Sequence, residues 1–125
     1  VYDTKSAARM MKEVDRDWVG INYDPTHVWR NGKMEIPEDT ISGILDHIIS
    51  LRIRDVKGRQ TGIGPVEGQI APNGDLNLPA LAEQFKKIPG LTYAVLEIVG
   101  TKDFTLDEVN DVARRSFEYF EPVLA

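Results

Sequence analysis

Three short apolar runs, WVGINYD at 18–24, SLRIRDV at 50–56 and TYAVLEIVG at 92–100, are separated by stretches whose apolar residues recur at helical spacing. That alternation constrains the fold more than any other feature. A helix between two strands returns the chain to the end where it began, so successive strands run parallel and each crossover is right-handed. The expected order is α-β-α-β-α-β-α, an α/β chain.

The details of each segment support this order. Ala7, Met11 and Val14 share one helical face, with Asp3 or Thr4 ahead of them as an N-cap. Pro37 and Glu38 open a segment in which Ile41, Ile44, Leu45 and Ile48 predict a mid-chain helix. Asn77 caps a helix with Leu78, Leu81, Ala82, Phe85 and Ile88 inward, and Pro89-Gly90 stops it. Thr105-Leu-Asp-Glu108 is a capping box that starts a last helix, whose expected apolar stripe is Val109, Val112, Ala113, Phe117 and Phe120. Between Lys57 and Asp75 five glycines and two prolines predict a long irregular connection.

Composition narrows the function. With 42% hydrophobic and 28% charged residues the chain reads as a folded globular protein. No cysteine is present, which removes disulfides, thiolate metal sites and a cysteine nucleophile, and a reducing cytoplasm is the default location. The formal charge of −5 argues against nucleic-acid or anionic-membrane binding. No apolar run reaches the roughly 18 residues that would span a bilayer, and the start VYDTKSAARMMKEV lacks a secretory signal pattern.

The sheet's second face is the informative one. It is expected to carry Asn22 and Asp24, Arg52 and Arg54, and Tyr93, Val95 and Glu97, a polar set where a sandwiched parallel sheet would be aliphatic. Such a face suits the inner wall of a closed barrel, whose active site lies at the C-terminal strand ends. Asp24 and Glu97 are at those ends. A complete eight-stranded barrel takes about 250 residues, so the expectation for 1–125 is the C-terminal part of a single barrel domain, with the earlier strands preceding it.

Four elements then resemble one family in order and spacing. Asp24-Pro-Thr-His27 after the first strand, Arg52-Ile-Arg54-Asp55 on the second, the glycine-rich GIGPVEGQI, and Glu97 in AVLEIVG together look like the C-terminal portion of the xylose isomerase-like TIM barrel superfamily. The resemblance implies the last three strands of a (β/α)8 TIM barrel. It also implies a sugar or sugar-phosphate isomerase or epimerase that transfers a proton next to a carbonyl, with the fragment alone inactive. It further implies one divalent cation, manganese, magnesium, cobalt or zinc, held in part by Asp24 and Glu97, with Glu97 doubling as acid/base and His27 binding metal or substrate. The endonuclease branch of the superfamily needs further histidines, and only His27 and His47 occur.

One position departs from the pattern. Where the family places a histidine, this chain has Arg52, and a guanidinium cannot ligate a cation. Arg52 paired with Asp24 or Glu97 would take the metal's place and suit an anionic ligand. Two readings therefore stand side by side: a metal-assisted isomerase, or a metal-free barrel that binds an anionic sugar-like ligand through Arg52 and Arg54.

Each residue also has a plainer role. Asp24 before Pro25 starts a turn; His27 lies in a loop; His47 sits on a solvated helix face. Arg52 and Arg54 form a structural ion-pair layer or an anion site, and Trp29 lines a sugar pocket or shields the core. The expected partners are a sugar or sugar phosphate, the N-terminal part of the barrel, and a second copy of the chain, since an isolated three-stranded sheet exposes both edges.

Overall fold

The computed structural model describes residues 3–125. Among them, three strands form one parallel sheet in chain order: β1 (Ile21–Tyr23), β2 (Ile48–Ile53) and β3 (Val95–Leu96). Ile21, Asn22 and Tyr23 of β1 stand against Ile48, Ser50 and Leu51, with a bulge after Ile21, while Arg52 and Ile53 stand against Val95 and Leu96. The helices are α1 (Thr4–Met10), α2 (Pro25–Trp29), α3 (Pro37–Thr40), α4 (Val66–Gln69), α5 (Leu78–Phe85) and α6 (Leu106–Leu124).

Alternation along β2 sorts the side chains between two faces. Leu51 and Ile53 turn toward the helices, where they join Ile41, Ile44, Val56, Leu78, Leu81, Phe85 and Phe120 in one buried core. Arg52 and Arg54 fall on the other face, as the pleat requires. Tyr23 packs edge-on against Phe85 at 6.3 Å between ring centroids, which ties the first strand to α5.

Two segments differ from expectation. The pattern Ile41, Ile44, Leu45, Ile48 is not one helix: after α3 the chain makes 3-10 turns at Ile41–Gly43 and Leu45–His47, and Ile48 already begins β2. Ser42 and Gly43 are weak helix formers, and the short turns bury Ile41 and Ile44 just as well. On α6 only Val112, Ser116 and Phe120 are buried, while Val109, Ala113 and Phe117 face outward, Phe117 at 61% exposure. The apolar arc of α6 is wider than the surface the described elements offer to cover it.

All three predicted caps form, Asn77 accepting the Ala80 amide at 3.3 Å ahead of α5. Asp3 and Ser6 close a capping box on α1, and on α6 the Thr105 amide donates to Glu108 Oε2 at 2.7 Å while the Glu108 amide donates to Thr105 Oγ1 at 3.3 Å. Thr105→Ala is expected to lower stability by about 1 kcal/mol, read as a shift in the urea midpoint at unchanged slope.

Candidate functional site

Asp24 follows β1 directly and caps α2. Its Oδ1 accepts the Thr26 amide at 2.9 Å and the Thr26 hydroxyl at 2.6 Å, so a turn role is fulfilled. The other oxygen is left for something else. Oδ2 takes Arg54 Nη2 at 2.7 Å, with His27 Nε2 at 3.6 Å.

Arg54 lies one residue past β2 and is 3% exposed. Its Nη1 reaches Glu97 Oε2 at 3.1 Å and the Glu97 carbonyl at 3.5 Å, and its Nε donates to Thr26 Oγ1 at 3.3 Å. With Nη2 on Asp24 and 3.4 Å from His27 Nε2, every edge of the guanidinium faces a protein group. Such saturation is what a buried cation requires. Glu97 is fixed at its own amide, which donates to Ile53 at 3.3 Å.

Arg52 is different. Its Nη1 meets Glu97 Oε1 at 3.2 Å, but its side chain is 40% exposed and, among the described residues, its Nε and Nη2 have no hydrogen-bond or ion-pair partner. The structure thus brings Asp24, His27, Arg52, Arg54 and Glu97 together; the expected pair of Arg52 with Glu97 forms, and the cation seated between the two carboxylates is Arg54. Thr26, whose hydroxyl links Asp24 to Arg54, is marked in the sequence only by the Asp-x-Thr spacing of a capped turn.

Trp29 is set apart by its own contacts. The Arg59 guanidinium stacks 3.4 Å from the ring centroid and Trp29 Nε1 donates to the Gly58 carbonyl at 3.0 Å, so one face of the indole is covered. His47 precedes β2, at the end of the strand away from Arg54.

A cleft of about 480 Å³ adjoins the cluster. Asn22, Asp24, His27 and Arg52 line it from the polar face of the sheet, and Ala7, Tyr23, Val28 and Ile44 from the helix side. Consecutive strand residues point to opposite faces, so a cavity touching both Asn22 and Tyr23 wraps around the open edge of β1. Burial pushes the Tyr23 phenol well above its ordinary pKa, so it stays protonated there.

The implied divalent cation does not fit this arrangement. Among the described residues no group of three His, Cys, Asp or Glu side chains converges as a metal site. Moreover, Asp24 and Glu97 are each already neutralised by a guanidinium. Parallel strands with polar residues at their C-terminal ends and helices on the other face define a segment of a (β/α) barrel. The chain belongs to the xylose isomerase-like TIM barrel family, which matches residues 1–123. No curated protein and no solved structure matches it. No helix among the described residues is long and apolar enough to cross a membrane.

Proposed function

We propose that this chain supplies one wall of a metal-free barrel site that binds an anionic, sugar-like ligand such as a sugar phosphate. The observation that carries this reading is Arg54 between Asp24 and Glu97, at 2.7 Å and 3.1 Å. A fixed guanidinium there does what a cation would do for the two carboxylates, and does it without exchange. Arg52 and His27, both partly exposed beside the cleft, then contact the ligand's acidic group, Glu97 and Asp24 accept hydrogen bonds from its hydroxyls, and Trp29 forms part of the outer wall.

In this reading residues 1–125 are the C-terminal part of a single barrel domain. Support comes from the open edges of β1 and β3 and from Leu106 and Phe117 on α6, at 74% and 61% exposure, which call for further strands and a further helix. A chain without cysteine suits the reducing cytoplasm.

The test is a thermal-shift titration of the full-length protein with fructose 6-phosphate and with fructose, each with and without EDTA. Stabilisation by the phosphate that is indifferent to EDTA and lost in Arg52→Ala is expected. Chelator-sensitive turnover of either sugar would overturn the proposal and restore the metal-assisted isomerase or epimerase, with Glu97 as its acid/base.

A further inference from the structure

Pairing between β2 and β3 is very short. It covers Arg52–Val95 and Ile53–Leu96, and the last backbone bond is from Glu97 to Ile53. Arg54 and Glu97, the central ion pair, therefore sit just where the ladder ends. Something else must hold the two strands in register beyond it.

Gln69, the last residue of α4, is fully buried. Its Oε1 accepts the Val99 amide at 3.0 Å, and its Nε2 donates to the Val99 carbonyl at 2.9 Å and to the Gly64 carbonyl at 3.2 Å. A side-chain amide that exchanges both bonds with one residue imitates a peptide group of a neighbouring strand. On its main chain, the Gln69 carbonyl accepts the Asp55 amide at 2.8 Å. One residue thus grips the position after Arg54 and the position two beyond Glu97.

We infer that Gln69 is a positioning residue that fixes Glu97 against Arg54 by continuing the sheet with its side-chain amide. Its action passes through the β3 extension, and it does not touch the charged groups. The inference concerns the ion-pair cluster itself and holds for any ligand, so its failure leaves the functional proposal standing.

Two measurements on the full-length protein decide it. In the unaltered protein the Val99 amide donates to the Gln69 side chain and has no backbone acceptor among the described residues, and Val99 is 40% exposed. Hydrogen exchange at Val99 is expected to be slowed by about a hundredfold or more against an unstructured peptide; exchange at the unprotected rate would overturn the inference without any variant. In ¹⁵N-arginine-labelled protein, Gln69→Met is expected to speed proton exchange at Arg54 Nη1, which faces Glu97, by about tenfold, while Nε, which faces Thr26, changes little. Leu81→Ala, in the core, is the control for general loosening and should speed both together. Equal acceleration of Nη1 and Nε in Gln69→Met, or none at Nη1, would show that Gln69 does not position the pair.

Discussion

Arg54→Met is expected to destabilise the protein by about 3–5 kcal/mol, because removing one partner of a buried ion pair strands the other. Asp24 would lose its 2.7 Å contact while 8% exposed, and Glu97 would keep only Arg52. Methionine fills much of the volume, so the loss is electrostatic in origin. Neutralising the carboxylates in the same chain, Asp24→Asn with Glu97→Gln, is expected to recover most of the stability, since asparagine still caps α2. Urea midpoints of the single and triple variants measure both effects. A single variant within about 1 kcal/mol of the parent would show that Arg54 does not compensate these carboxylates.

How far the sequence revealed this site depends on what kind of signal each residue leaves. Period-two alternation put Arg52 and Arg54 on the polar face correctly, because the pleat fixes faces. Alternation says nothing about depth. Arg54 is the buried member because it lies past the strand end, where α2 and Thr26 close over it; Arg52, one pleat back, stays beside the cleft. For Ile41 to Ile48, periodicity reported burial and not helix, since two 3-10 turns and a strand bury Ile41, Ile44 and Ile48 equally well. On α6 the sequence predicts one whole apolar stripe, yet only the Val112–Ser116–Phe120 side of the helix is buried among the described residues. Composition cannot distinguish a face packed within this segment from one that awaits another element. Gln69 was invisible for a further reason. A single buried amide in a glycine-rich connection has no periodicity, and only the partners that it joins show what it does.

Gly74→Ala is expected to cost about 3 kcal/mol or more, and the cost traces to one buried carboxylate. A Cβ at Gly74 would lie 2.1 Å from Asp55 Oδ1, 2.3 Å from its Cγ and 2.6 Å from the Val56 amide nitrogen. The last is backbone, so turning a side chain aside cannot relieve the clash. Asp55, 1% exposed, accepts the amides of Val56 at 2.8 Å, Gly74 at 2.9 Å and Leu76 at 3.2 Å, and so fastens the long connection to the end of β2 beside Arg54. Driving it out leaves those donors without their acceptor. The pH dependence identifies the cause. Burial raises the Asp55 carboxyl above the ordinary aspartate value of 3.8, outweighing the three amides that pull it down. A raised acid binds its proton more tightly in the folded state, so its contribution is full below 3.8 and is lost as pH rises through the folded pKa. In Gly74→Ala, with Asp55 displaced toward solvent, that loss disappears. The stability gap between parent and variant, taken from urea midpoints at a series of pH values, is therefore expected to be largest in acid and to narrow upward. A gap that widens with pH would mean that the three amides dominate, and that Asp55 is held as a charged clamp in spite of its burial.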